Sequence, residues 1–229
     1  MKYKWLLLDA DGTLFDYDKA EAVALEKTFE QEGCGFEPSY AGVYRRINEQ
    51  IWLNFEQGKI SQDRLRTKRF ELFLEAVHIE SDPVLFSQRY LKHLADGAYL
   101  IKDAEEIVRS LHGRIGLLLI TNGLKEVQRS RLAKSTIGKY FADVVISDEI
   151  GVAKPERQIF DVAFSKMGNP RKEEVLIVGD SLTSDIQGGS DYGIDTCWFN
   201  PERKSRDLNV EIRYEIHRLN ELLNIVETV

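Results

Sequence analysis

The chain has 229 residues, 43% of them hydrophobic, 10% aromatic and 30% charged, with 31 basic against 38 acidic side chains for a net charge of −7. At about 150 residues per domain this is one large domain or one with a sizeable insert, and the apolar fraction excludes wholesale disorder. With 16 Gly, 5 Pro and 2 Cys, collagen-like and disulfide-scaffold classes fail as well, and the acid excess argues against a broad basic face for a nucleic-acid polymer.

The chain opens Met1-Lys2-Tyr3-Lys4 and enters an apolar run at Trp5. That run is too short for a signal-peptide core, and no stretch approaches the roughly 20 apolar residues of a membrane span. Cys34 and Cys197 lie far apart and are expected to be reduced. His78, His93, His112 and His217 are scattered without zinc-ligand spacing. A cytoplasmic chain with no membrane partner is the expectation.

Residues 3–8 read as a buried parallel strand. It runs into Asp9-Ala10-Asp11-Gly12-Thr13-Leu14, where two carboxylates at i and i+2 share one side of an extended strand end and Gly12 permits a sharp turn. Helical stripes follow instead of strands: Ala22, Leu25 and Phe29; Tyr44, Ile47, Ile51 and Phe55; Phe70, Phe73, Leu74 and Val77. Breaks fall at Gly33-Cys34-Gly35, at Gly58 with Ser61 as the next cap, and at Ser81-Asp82-Pro83. From Asp9 to Thr121 the chain is far longer than the roughly 30 residues of a strand-helix-strand unit. Residues 17–95 are therefore predicted to form a four-helix insert, with residues 1–16 and 96–229 forming the core.

Beyond the insert, Asp103 with Glu106 has capping-box spacing at the head of a helix faced by Ile107, Val108 and Leu111. Strands are predicted at 115–120, 143–146, 175–178 and 196–199, with a shorter sixth at 213–216. Pro155 is predicted to open a helix whose Ile159, Phe160, Ala163, Phe164 and Met167 face inward. Alternating strands and helices predict an α/β fold, a doubly wound, Rossmann-like parallel sheet carrying the helical insert.

Four polar clusters fall at the ends of these strands. Asp9 and Asp11 follow the first; Thr121-Asn122-Gly123 follow the second, offering a hydroxyl and backbone N–H groups to a phosphate oxygen. Lys154, after the third, can bring a point charge to the same place. Gly179-Asp180 and Asp185 follow the fourth. Each cluster alone also suits a surface turn or a helix start. Together they share the C-terminal edge of an open sheet, where ligands bind.

This set suits phosphomonoester chemistry. An aspartate nucleophile meets an anionic substrate, and Mg²⁺, which favours oxygen ligands, offsets the repulsion. Asp9 and Asp180 supply carboxylates, the Asp11 carbonyl a further oxygen, and Asp185 orients metal-bound water. Asp9 attacks phosphorus. Asp11 donates a proton to the leaving alcohol and later accepts one from water. Thr121, the Asn122 amide and Lys154 stabilise the transferring oxygens. The expected partner is a small phosphomonoester.

These residues resemble the four motifs of haloacid-dehalogenase-superfamily phosphatases, in order: Asp9-Ala10-Asp11-Gly12-Thr13, Thr121, Lys154, and Gly179-Asp180 with Asp185. The likeness spans essentially the whole chain and implies that the insert is a cap that closes over the core, excludes water and selects small substrates. Within the superfamily the chain is most similar to bacterial pyrimidine 5′-nucleotidases. That likeness lies in Leu14-Phe15, Ile51-Trp52, Phe55-Glu56-Gln57-Gly58, Arg69-Phe70, Gly151-Val152-Ala153-Lys154-Pro155 and Thr196-Cys197-Trp198-Phe199-Asn200. It implies release of phosphate from nucleoside monophosphates. The enzymatic alternatives are a phosphoglycolate or sugar-phosphate phosphatase and a β-phosphoglucomutase-like mutase. A dehalogenase would need neither Asp11 nor the Asp180/Asp185 pair. A phospho-aspartate signalling domain would be near half this length and lack the insert, and a silent scaffold needs none of these acids. In the insert, Trp52 packs between helices or stacks on a base, and Arg64, Arg66, Lys68 and Arg69 form a solvated face or an anion-attracting one.

Overall fold

Period-two burial decides the central strand of the sheet. In Trp5–Leu8 (β1) the leucines alternate: Leu6 and Leu8 enter one apolar layer and Leu7 the other. The computed structural model describes residues 2–206 and 209–228, the side chains of Glu56 and Thr228 aside. It divides into two compact units, residues 1–17 with 98–229, and residues 18–97.

In the larger unit five more strands pair in parallel with β1: Gly116–Thr121 (β2), Asp143–Ile146 (β3), Val175–Gly179 (β4), Asp195–Phe199 (β5) and Tyr214–Ile216 (β6). Their order is β3-β2-β1-β4-β5-β6. β1 thus lies between β2 and β4, with Leu8 opposite Leu119 on one side and Val178 on the other. The same alternation runs through the neighbours, so Leu117, Leu119, Leu176 and Val178 line one face and Leu118, Ile120, Val175 and Ile177 the other. Both faces are therefore covered, as a parallel sheet requires, and each fully buried leucine contributes about 1.5–3 kcal/mol.

The helices divide between those faces. Preceding them in the chain come Tyr17–Glu32 (α1), Pro38–Glu56 (α2), Gln62–Ala76 (α3) and Pro83–Leu94 (α4). Ala104–Leu111 (α5) packs Ile107, Val108 and Leu111 on the Leu6/Leu8 face, and Lys125–Lys134 (α6) adds Leu132 there. Ser147–Ile150 (α7) is a single turn after β3. Arg157–Lys166 (α8) and Gln187–Tyr192 (α9) cover the Leu7 face through Ile159, Phe160, Ala163, Phe164 and Tyr192. Leu222–Thr228 (α10) returns Leu222 and Val226 to the first face. Among the described residues no helix is long and apolar enough to cross a membrane, and Cys34 and Cys197 are free thiols.

Two local expectations are corrected. Asp103 precedes α5 in the left-handed region at φ 70 and its side chain makes no cap bond, so the Asp103/Glu106 box does not form; α5 is held by its buried face instead. Pro155 does not open α8, which begins at Arg157. Residues 153–156 form a turn, closed by Glu156 N donating to the Ala153 carbonyl at 2.9 Å, that carries Lys154 inward.

In the smaller unit, α1 to α4 enclose an aromatic core. Phe29 meets Phe73 and Phe86 edge-on at 6.0 and 5.4 Å, and Tyr44 stacks on Phe70 at 5.3 Å. Ser61 accepts from Arg64 N at 3.3 Å and Asp82 from Val84 N at 2.8 Å, capping α3 and α4. Arg64 and Lys68 pair with Glu71 at 2.7 and 3.1 Å, while Arg69 is buried and donates to Asn48. Trp52 is half-buried, edge-on to Phe55 at 5.8 Å.

Asn48 in turn donates to Glu21 at 3.3 Å, and Arg45 lies 3.5 Å from the same carboxyl. Burial, opposed by Arg45 and aided by Asp18, pushes Glu21 up to about 7 from 4.5. The folded chain therefore takes up a proton between those values, and Glu21 costs stability as pH rises through that window. Glu21→Gln has no such slope. Its advantage over the wild type should grow from pH 4.5 to above 7, to about 3 kcal/mol at most, in denaturant unfolding of both proteins; parallel pH profiles would refute this account of Glu21.

Candidate active site

The strand order reverses between β1 and β4, and the residues just beyond those two strands meet there. Asp9 leaves β1 with its N–H still bonded to the Val178 carbonyl of β4 at 3.0 Å, so its position continues the sheet register. Gly12, at φ +82, turns the chain, and Leu14 and Phe15 N–H groups fold back onto the Ala10 carbonyl at 2.9 and 2.8 Å. A Cβ on Gly12 would overlap the Asp180 carboxylate, so the turn allows a close approach that no other residue would.

The centre of the site is an ion cluster. The Lys154 ammonium is 1% exposed and donates to Asp9 Oδ1 and Asp185 Oδ1, both at 2.6 Å, and to the Ile120 carbonyl at 3.0 Å. An ammonium has three hydrogens, and here all three go to protein. Asp185 uses its second oxygen to accept from Ser181 N at 3.1 Å. Asp180 stands at the open side, where Thr13 donates to Oδ1 at 3.3 Å and Trp198 Nε1 holds the Asp180 carbonyl at 2.9 Å.

One ammonium thus faces three carboxylates, of Asp9, Asp180 and Asp185, whose oxygens lie within 4.8 Å of one another. Burial raises Asp9 well above the usual carboxylate range, with Asp185 and Asp180 adding to the rise and Lys154 opposing it. Although Asp180 is the most exposed of the three, partial loss of water to the neighbouring protein, followed by the charge of Asp185, pushes its carboxyl up to about 7. Lys154 is raised, since the pull of Asp185 and Asp9 outweighs its desolvation. The unbalanced negative charge is what a divalent cation with hard oxygen ligands would neutralise.

The loops after β2 and β3 are cross-braced. Asn122 donates from Nδ2 to the Lys154 carbonyl at 2.9 Å and accepts from Lys154 N at 2.7 Å. Its side-chain amide therefore holds the lysine loop. Thr121, buried, accepts from Gly123 N at 3.1 Å, which leaves its own hydroxyl hydrogen to donate elsewhere.

The carboxylate of Asp11 is not one of the three that cluster. It is held by two residues absent from the reading of the sequence: the Arg131 guanidinium on Oδ1 and the Gln128 amide on Oδ2, both from α6. A signal for them exists. Leu124, Val127 and Leu132 mark the inward face of α6, and Gln128 and Arg131 fall on that face as its polar exceptions.

A doubly wound sheet with an aspartate-centred ion cluster at its switch point defines an α/β enzyme. The chain belongs to the haloacid dehalogenase-like hydrolase family, whose profile matches residues 3–193. It is similar over its whole length to the crystal structure of HAD-hydrolase YfnB from Bacillus subtilis bound to magnesium, at 35% identity and a TM-score of 0.94, with 99% of each chain covered. It is 35% identical over 228 residues to pyrimidine 5′-nucleotidase PynA of Streptococcus pneumoniae, covering 99% of this chain and 96% of the relative. With pyrimidine 5′-nucleotidase YjjG of Escherichia coli it shares 32% identity over 222 residues and 97% of each chain.

Lys154→Met would leave buried carboxylates without their cation, at a cost of about 3–5 kcal/mol. The deficit should shrink as pH falls, because Asp9, already raised, protonates more readily in the folded variant than in the unfolded chain. Thermal unfolding of both proteins in chelator at several pH values checks this; a pH-independent deficit would contradict it.

Proposed function

We propose that this hydrolase is a Mg²⁺-dependent phosphomonoesterase acting on nucleoside 5′-monophosphates, pyrimidine ones foremost. The observation that carries the reaction class is the cluster of Asp9, Asp180 and Asp185 round a single buried lysine, at the sheet edge where β2 ends in Thr121. The substrate class rests on PynA and YjjG, both pyrimidine 5′-nucleotidases.

The donor set fits Mg²⁺: oxygen ligands only, an excess of negative charge, and one carboxylate, Asp180, open to solvent. Asp9 and Asp180 would hold the ion, with the Asp11 carbonyl. Asp185, whose two oxygens already accept from Lys154 and Ser181, would act on it through water. When bound, the ion supplies positive charge that screens the substrate phosphate from the carboxylates.

The protein's own residues then divide the work. Lys154 opposes the rise that burial gives Asp9 and fixes its carboxylate through a 2.6 Å hydrogen bond. An Asp9 oxygen bonds to phosphorus as the ester P–O bond breaks. The departing oxygen keeps the electron pair and takes the proton carried by Asp11. Water then gives a proton to Asp11 and its oxygen to phosphorus, the Asp9–phosphorus bond breaks, and phosphate leaves. Thr121 donates to a phosphoryl oxygen as charge builds on it, and Asn122 keeps the lysine loop in register. The helical unit of residues 18–97 serves as the cap that selects the substrate.

Phosphate release from nucleoside monophosphates and sugar phosphates, with and without Mg²⁺, tests this. Turnover of pyrimidine monophosphates should exceed that of sugar phosphates and vanish in chelator. The reverse preference would give the site to a sugar-phosphate phosphatase. Asp9→Asn should abolish turnover and phosphate transfer to the protein while leaving the fold intact; near-normal turnover would rule out covalent catalysis.

A further inference from the structure

Both oxygens of Asp11 are gripped from α6, Oδ1 by Arg131 and Oδ2 by Gln128. Neither donor is at the surface: Arg131 is 0% and Gln128 1% exposed. The guanidinium lies over the Phe15 ring, 4.6 Å from its centroid, and Phe15 closes the loop that carries Asp11, its carbonyl accepting from Gly12 N at 3.0 Å. The Gln128 side chain fills the place where Gly123 would carry a Cβ, against the loop that follows Thr121. Only its amide end can face a carboxylate, so its orientation is set. Its Oε1 is then left buried without a hydrogen-bond partner among the described residues.

This arrangement is expensive. A buried guanidinium costs several kcal/mol unless its geometry is well matched, and an unsatisfied buried carbonyl costs about 1–3 kcal/mol. Leucines would complete the apolar face of α6 more cheaply. What the two polar residues gain is a fixed carboxylate.

We infer that Arg131 and Gln128 are positioning residues for Asp11, setting the rotamer from which it passes a proton to the leaving oxygen. The inference rests on the phosphatase reading above. Each carboxylate oxygen has two lone-pair sites, so one donor apiece leaves room for the transferred proton and for the substrate oxygen. Arg131 and Gln128 exchange no proton; they act through Asp11 alone.

The test compares two esters. An alkyl phosphate such as a nucleoside monophosphate expels an alkoxide and needs the proton of Asp11; p-nitrophenyl phosphate expels a far weaker base and needs it less. For Arg131→Met, kcat/KM, which reports the steps through leaving-group departure, should fall on the order of 10²-fold with the alkyl ester and about 10-fold or less with the aryl ester. Gln128→Leu should show the same bias at smaller size. In an Asp11→Ala background, Arg131→Met should cost less than about twofold more on the aryl ester, as expected when one residue acts through the other.

Equal losses on both esters, or losses that multiply in the double variant, would overturn the inference and make Arg131 merely structural. If circular dichroism shows Arg131→Met unfolded, Arg131→Lys and Gln128→Leu carry the same comparison. An active wild type with unbiased variants defeats the inference alone. A wild type inert towards both esters defeats the phosphatase reading and the inference with it.

Discussion

The ends of three strands converge on the Lys154 ammonium, and the site depends on that convergence. The ammonium bonds Asp9 beyond β1, the Ile120 carbonyl in β2 and Asp185 beyond β4, so one cation ties three segments that are remote in sequence. Its burial would be prohibitive without two carboxylates, and theirs would be without it. The same balance remains incomplete, since Asp180 stands as a third carboxylate beside a single positive charge. A site stable enough to fold yet short of positive charge is suited to taking up a cation and an anionic ester together.

Around that ion cluster the remaining contacts act on orientation. Asn122 fastens the Lys154 backbone in both directions, Trp198 holds the Asp180 carbonyl, and Ser181 fixes the far oxygen of Asp185. None of these donors needs to touch a substrate. Each removes a rotation that the groups proposed to react would otherwise have to lose, and preorganised polar sites gain much of their rate in that way.

The sheet, and the gathering of Asp9, Lys154, Asp180 and Asp185 at one of its edges, were legible in the sequence because both follow simple rules; the bonding of Lys154 to Asp9 and Asp185 was not. Short continuous apolar runs such as Trp5–Leu8 and Val175–Gly179 make strands that are buried on both faces. Polar residues placed directly after such runs are delivered to one edge. What was not legible depends on tertiary company. Asp103 and Glu106 have capping spacing, yet Asp103 takes a left-handed backbone and its side chain makes no bond to the helix N–H groups. Pro155 looks like a helix start, yet Lys154 is drawn into the cluster and the turn must finish first. Arg131 and Gln128 fall outside every strand-end cluster, and their part in the site shows only once the helix face they share is seen to be covered.

β1 is made first and lies in the middle of the sheet, between β2 and β4. During synthesis it has no edge to join until residues 116–121 have emerged, and its other flank stays open until residues 175–179 follow. The helical unit of residues 18–97 intervenes and contains its own aromatic core. β2 with β3 and β4 with β5 are close in sequence and can pair early, whereas β1 must close its long loops to β2 and β4 before it gains any pairing energy. The ion cluster, which joins residues as distant as Asp9 and Asp185, cannot form before both of those loops have closed. A nascent chain interrupted before β4 leaves one flank of β1 unpaired and lacks Asp180 and Asp185 altogether.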